Sequence, residues 1–419
     1  MALQKISFRP GIVRDVSSFG NEGGWYDCNL VRFRNGLPQS VGGWQKYVST
    51  TFLGICRALL QWIALDLSNY IGLGTTCKYY ILDGTAYNDI TPIRRTATLT
   101  AWSSTQPTGG PFTTTATANV LNVYDVAHGA DVNDYVTYSG ATGLGGNVTA
   151  AVLNQEYKIT DIVDDNNYEI TLSVNANASD TGHGGTVTAA YQINVGLDTQ
   201  VGGNGWGAGT WGRGGWGSAA TVSAGNTLRL WSHDNYGEDL LFNVRGGGIY
   251  YWDATTGTSV RGYSLESAST DPTVPTLANQ VIVSDRDRHV LVFGANPDPA
   301  SAQDPMLIRF SDAEDPFTWS PTATNSAGDL RLGSGSYIVR ALETKREILV
   351  WTDSALYSLQ YIGAPYTFGV TQIASNITTM GYNCFVGVDD TVMWMGKNKF
   401  YVYSGQTNEL KCTVLNHVF

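Results

Sequence analysis

Three clusters of carboxylates are where this sequence can do acid–base chemistry: Asp285-Arg286-Asp287, Asp312-Ala313-Glu314-Asp315 and Asp389-Asp390. Paired carboxylates hydrolyse glycosidic bonds when one protonates the leaving oxygen and the other serves as base or nucleophile. Four or more converging oxygens hold calcium. Yet each cluster borders an expected strand. Asp315 runs into Pro316, and Asp389-Asp390 leads into an apolar run. Those are turn positions, where an Asp side chain accepts hydrogen bonds from nearby backbone amides.

Other catalytic constellations are missing. There is no GxxxxGK[ST] and no HExxH, and Gly333-Ser334-Gly335-Ser336 is not a GxSxG elbow. The histidines, His128, His183, His233, His289 and His417, are scattered singly, which suits structural roles. Cys28, Cys56, Cys77, Cys384 and Cys412 are odd in number, widely spaced and without a CxxC pair. They point to buried free thiols in a reducing cytoplasm, not to disulfides or a zinc site. The expectation is therefore a chain with no catalytic, metal or cofactor-binding residues. Asn147-Val148-Thr149 and Asn376-Ile377-Thr378 match the glycosylation sequon, but the N-terminal residues have no apolar core of signal-peptide length. No apolar run reaches the roughly 18 residues of a membrane span.

What would position any site is β-structure. Of the 419 residues only 15% are charged, and the balance is made up by Gly, Tyr, Trp, Thr, Ser and Asn. Aromatic and β-branched residues suit a pleated surface, and Gly and Asn suit tight turns. The net charge of −11 argues against gripping DNA by its phosphates.

A two-stranded, Tyr-rich unit recurs five times. Its copies are Asn69 to Gly74 with Lys78 to Gly84, Asp239 to Asn243 with Gly248 to Trp252, and Val290 to Gly294 with Met306 to Phe310. Ile348 to Thr352 with Ala355 to Leu359 and Val392 to Gly396 with Lys399 to Tyr403 complete the set. The steps Leu241, Leu291, Leu349 and Met393 are 50, 58 and 44 residues. Propeller blades recur at roughly 40 to 50, and packing copies side by side covers sheet faces that one copy leaves bare. The first copy lies 170 residues before the second, which leaves room for an inserted domain. The expected fold is all-β: a β-propeller-like body with an inserted small antiparallel β-sandwich or barrel. Residues 1–95 would begin the body, 96–220 form the insert, and 221–419 complete the body.

The insert shows alternating strands at Asp134 to Tyr138, Glu156 to Ile159 and Asn167 to Leu172, separated by Gly- and Asn-bearing turns. It ends in a Gly/Trp tract in which Trp206, Trp211 and Trp216 recur every five residues. Indoles on a Gly-rich backbone either anchor a partner surface or fold back onto their own sheet. At the other end, Thr413-Val414-Leu415-Asn416-His417-Val418-Phe419 reads as a strand entering a core. That suggests a chain continuing past Phe419 or an end docked on a neighbour.

The N-terminal run Phe8-Arg9-Pro10-Gly11-Ile12-Val13-Arg14-Asp15, Glu22-Gly23-Gly24-Trp25-Tyr26-Asp27 and Asn29-Leu30-Val31-Arg32-Phe33-Arg34-Asn35-Gly36-Leu37-Pro38-Gln39, closing with Gly42-Gly43-Trp44, resembles the opening of tail nozzle or tail-tube proteins of short-tailed phages. Residues 284–290, 304–312 and 351–357 are similar to that family too. The resemblance implies a non-enzymatic virion protein of the tail, assembled in the host cytoplasm. It implies a homo-oligomeric ring, commonly a hexamer, around the DNA exit channel. The ring's partners would be the portal or adaptor and tail fibres, with genomic DNA passing through without sequence-specific binding. An alternative is a receptor- or glycan-binding tail appendage with the insert as the reader, since exposed Tyr and Trp stack on sugar faces. A third reading, a propeller glycosidase or depolymerase, would depend on Asp287, Asp312 and Asp389.

Overall fold

The computed structural model describes residues 8–84, 86–178, 182–197 and 228–419. Among them the helices are single turns, at Ala150–Leu153, Ala254–Thr256, Leu265–Ala268 and Leu415–Val418. The rest of the regular structure is antiparallel β, so the chain is all-β.

Five four-stranded sheets, each running up and down in chain order, make the body β-propeller-like. The first comprises Cys56–Ile63, Asn69–Thr75, Tyr79–Leu82 and Tyr87–Asp89. The second comprises Trp231–Tyr236, Asp239–Val244, Ile249–Trp252 and Tyr263–Ser264. The third runs through Gln280–Val283, Val290–Phe293, Leu307–Phe310 and Gly328–Arg331. The fourth has Ile338–Glu343, Ile348–Thr352, Ala355–Gly363 and Thr367–Ser375. The fifth has Phe385–Val388, Thr391–Met395, Phe400–Tyr403 and Thr407–Leu410. In every sheet the recurring two-stranded unit of the sequence supplies the two middle strands. These carry the apolar runs because neighbours cover them on two edges and on one or both faces.

The chain forms two compact units, Met1–Ser49 with Asp271–Phe419, and Thr50–Thr270. In the first unit the fourth sheet is packed on both faces. Val350 and Tyr357 join a core with Leu291, Phe293 and Ile308 of the third sheet. Leu349, Trp351 and Leu356 join another with Val392, Trp394 and Tyr401 of the fifth. Ile348–Thr352 is accordingly buried at every position and reads as an unbroken apolar run. The Trp351 and Trp394 rings lie 5.4 Å apart, edge to face. An aromatic of this size buries about 150–250 Å², an upper bound of roughly 4–6 kcal/mol of transfer free energy each. The opposite face of the fifth sheet, with Val386, Met393 and Val402 in one cross-strand row, is uncovered at Val386 and Met393.

In the second unit the first and second sheets share a core of Trp62, Tyr79, Ile81, Trp231, Phe242 and Trp252. Gly74 permits their closest approach: a Cβ there would meet the Trp231 ring at 2.5 Å, and the same indole donates to the Thr75 carbonyl at 2.7 Å. The inserted domain is a seven-stranded antiparallel sheet. Its order is Ile93–Leu99, Val187–Gln192, Tyr135–Ser139, Glu156–Asp164, Asn167–Thr171, Val120–Tyr124 and Phe112–Thr114. Leu99 and Phe112, from the two edge strands, enter one core, so the sheet curls round it as an open barrel.

Residues 8–49 carry little regular structure beyond the hairpin Val31–Arg34 with Leu37–Ser40. Its Asn35-Gly36 turn has φ of 51° and 78°, the left-handed pair that a two-residue hairpin loop needs. The strand expected at residues 413–419 is absent. The Thr413 hydroxyl donates to the Ile12 carbonyl, and the Thr413 carbonyl accepts from the Arg14 amide, so these groups bond the N-terminal segment instead of a sheet. Leu415–Val418 closes into one helical turn, with Val418 and Phe419 still exposed.

Candidate functional site

The sequence-expected anchors Trp206, Trp211 and Trp216 lie outside the described residues. Asp287 and Asp312, from two of the carboxylate clusters, both act on His289. Asp312 accepts from the amides of Ala313 and Ser326 and from the Ser326 hydroxyl, and Asp315 accepts from the Phe317 amide and the Thr318 hydroxyl. Asp389 and Asp390 pair with Lys345 and Arg346 at the surface. Asp271, not singled out in the sequence, organises the same long loop by accepting from Thr273, Trp319 and Ser320. Burial would raise its carboxyl, but bonds from the Ser320 hydroxyl and the surrounding amides outweigh that and hold it well below the usual carboxylate range.

Each histidine has a local partner: His128 the Asp164 carbonyl, His183 the Phe112 carbonyl, His233 the Tyr79 hydroxyl and His417 the Arg14 guanidinium. His289 is fully buried against Phe310 and Phe368, with Ser326 Oγ 2.9 Å from Nε2. Burial pushes it below the ordinary imidazole value, and the carboxylates of Asp287 and Asp312 only partly oppose this. The unfolded chain therefore takes up this proton first. Stability from His289 is present above the unfolded value of about 6.5 and is lost as the pH falls from there through the depressed folded value. Thermal melts between pH 7.5 and 5 should show this decline, and His289→Gln should flatten it. The five cysteines are unpaired and half-buried, less enclosed than the sequence suggested. Among the described residues no cluster of His, Cys, Asp or Glu could hold a metal.

What the structure does bring together is a polar cleft in the first unit, around the turn linking the first two strands of the fourth sheet. The Thr344 amide and hydroxyl both donate to the Glu347 carbonyl and fix that turn. One cavity of about 350 Å³ lies between Ser284, Arg286, Glu343, Glu347, Gln360 and Tyr361, with Phe368 at its wall. A second, of about 230 Å³, lies across Arg346 and Glu347 towards Asp390, Tyr403 and Ser404. Glu347 stands between the two. It accepts from Ser358, from Gln360 at 3.2 Å and from the Tyr403 hydroxyl at 2.6 Å. Burial, and then the Glu347 carboxylate, raise the Tyr403 phenol, so it stays a protonated donor. Arg286 lies over the Tyr361 ring at 5.3 Å, and Glu343 accepts from the Asp285 amide.

This set offers cationic donors, carboxylate acceptors and aromatic rings facing one space. Such a mixture suits a polyhydroxylated ligand: carboxylates accept from hydroxyls, and Arg and Gln donate. The signal was present in the sequence as Glu343-Thr344-Lys345-Arg346-Glu347, four charges in five residues of a chain poor in charge.

In the second unit an ionic clamp around the buried Lys78 fastens the insert to the sheets beside it. Lys78 Nζ is 2.8 Å from Asp89 of the first sheet and 2.5 Å from Glu156 of the insert. Arg261 approaches both carboxylates, at 3.2 and 3.5 Å, and Gln192 donates to Glu156.

No family model matches the chain, nor does any curated protein. Among solved structures it is similar to a phage phi92 endosialidase, at 11% identity and a TM-score of 0.25, over 81% of this chain and 52% of that one. It is also similar to the extracellular domain of a one-component system from B. thetaiotaomicron, at 10% identity and a TM-score of 0.30, over 90% of this chain and 51% of that one. The chain spans about half the length of each. Among the described residues no helix is long and apolar enough to cross a membrane.

Proposed function

We propose that this chain is a bacteriophage tail appendage protein that binds a glycan of the host surface in the cleft around Glu347. The observation that carries the reading is the cleft itself: Arg286 over Tyr361, Gln360 and two carboxylates, Glu343 and Glu347, face one cavity of about 350 Å³. The reading is of a binding protein: of the carboxylates a glycosidase reading depends on, Asp312 shapes its own loop and Asp389 pairs with Lys345. The resemblance of residues 8–44 to short-tailed-phage virion proteins supplies the setting, the virion tail.

A glycan array probed with the full chain tests this. Binding should appear, and Arg286→Ala should weaken it about 10- to 100-fold, the worth of one or two charge-assisted hydrogen bonds. A silent array, or a variant that binds as well as the parent, sinks the reading.

The second reading is a nozzle ring around the DNA exit channel. It is favoured by the exposed apolar side chains of the N-terminal segment, which suit assembly. In micrographs of the particle, this protein would then lie on the tail axis in several copies, whereas an appendage would lie off it.

A further inference from the structure

We infer that residues 8–47 are a strap that docks onto the body of a second copy of this chain. The inference stands apart from glycan binding and supplies the subunit contact that the ring reading requires.

The segment has a defined shape but buries little of what it carries. Backbone bonds from Arg9 to Gly23 and from Val13 to Trp25 fold it on itself. Arg14 ties it down, pairing with Asp27 at 2.8 Å and donating its amide to the Thr413 carbonyl. Despite this, Trp44 is 98% and Phe19 95% exposed, and Phe8, Leu30, Leu37 and Tyr47 are exposed as well. Phe19 sits in the turn closed by the Gly20 amide on Ser17, so it loses little further entropy on docking, and Trp44 and Tyr47 add apolar area for association to bury. The hairpin Val31–Arg34 with Leu37–Ser40 forms a sheet of its own, with no third strand on either edge among the described residues. Two-stranded hairpins are marginal alone, and unpaired strand edges are templates for another chain.

Charge selects the occupant. Residues 8–47 hold five Lys and Arg against three Asp and Glu, whereas the other 379 residues hold 20 against 33. A basic, aromatic strap on an otherwise acidic chain is complementary to the body of another copy. Contacts of this head-to-tail kind close into rings or run on as open arrays.

Sedimentation velocity on the full chain tests the strap. The chain should self-associate at micromolar concentration, and raising salt from about 0.1 to 0.5 M should weaken association. Phe19→Ser with Trp44→Ser should weaken it at least about tenfold, as should Lys46→Glu with Arg34→Glu. These side chains are exposed, so the variants should keep the parent's circular dichroism. In a mixture of ¹⁴N- and ¹⁵N-labelled chains, carbodiimide cross-links from Lys46 should join light to heavy copies. Assembly that both double variants leave intact overturns the strap but spares the ring. Open dimers that the variants abolish uphold the strap and remove the ring. A monomeric parent, cross-links confined to one label, or a strap that instead shifts a short oligothymidylate, each overturn the inference.

Discussion

Asp125→Ala should lower the unfolding free energy of the inserted sheet by about 3 kcal/mol, the low end of what breaking a buried ion pair costs. The carboxylate is the end point of an oriented chain of hydroxyls. Tyr138 and Tyr168 are 2.6 Å apart, Tyr168 and Tyr191 2.8 Å, and Tyr191 donates to Asp125 at 2.6 Å. Because Tyr191 gives its proton to Asp125, Tyr168 must give its own to Tyr191, and Tyr138 to Tyr168. From the other side Arg95 grips the same carboxylate with two nitrogens, at 2.5 and 2.9 Å. Burial raises all three phenols, so they remain donors at any ordinary pH. Removing the acceptor leaves Tyr191 without its bond and Arg95 without its counter-charge. The Asp125 side chain is 4% exposed but Arg95 is 32%, so water takes back part of the guanidinium, which is why the low end applies. Tyr138→Phe, which trims the far end of the chain, should cost only about 1 kcal/mol. Chemical denaturation followed by tyrosine fluorescence measures both. Equal losses for the two variants would show that the hydroxyls do not depend on Asp125.

Lys78→Met should cost about 3 kcal/mol and should loosen the insert from the sheets next to it. The ammonium is 4% exposed, lies over the Tyr135 ring at 4.7 Å and sits between Asp89 and Glu156. The two carboxylates would keep Arg261, with Gln192 still donating to Glu156 and the Thr91 amide to Asp89. Hydrogen exchange separates this from general destabilisation, because protection should fall first at residues 87–95 and 156–160. The acid limb gives a second test. Burial would raise the Asp89 carboxyl, but Arg261 and Lys78 outweigh that and hold it below its ordinary value. Its contribution is present above the unfolded value of about 3.9 and is lost as the pH falls through the folded one. Lys78→Met should flatten that limb, and an unchanged acid profile would remove the clamp from the account.

The middle hairpins were legible because their position in a packed sheet leaves a local mark. Ile348–Thr352 and Val290–Phe293 are buried throughout, and burial selects apolar, β-branched and aromatic residues in sequence. The outer strands left weaker marks. Gly328–Arg331 and Thr407–Leu410 face water along much of their length and read as ordinary polar chain. The long loop before Gly328–Arg331 was legible only as turns. The single Asp271 that gathers Thr273, Trp319 and Ser320 acts across 48 and 49 residues, with no local pattern to announce it. The cleft was missed for a related reason. Arg286, Glu347 and Tyr403 come from three sheets, and only the charged turn at residues 343–347 hinted at it.

The sequence by itself determined that this chain is all-β, that it repeats a two-stranded unit at blade-like spacing, and that a foreign domain interrupts the repeat. Each of these is written in local composition and period, which short-range backbone preference and face burial enforce. Only the tertiary structure decided which polar groups meet. Glu347 reaches Tyr403, Lys78 reaches Glu156, and Asp125 reaches Tyr191 and Arg95 through strand order and register. Hydrogen bonds and ion pairs act over a few ångströms of space, and the residues that make them carry no record of their partners in the chain around them.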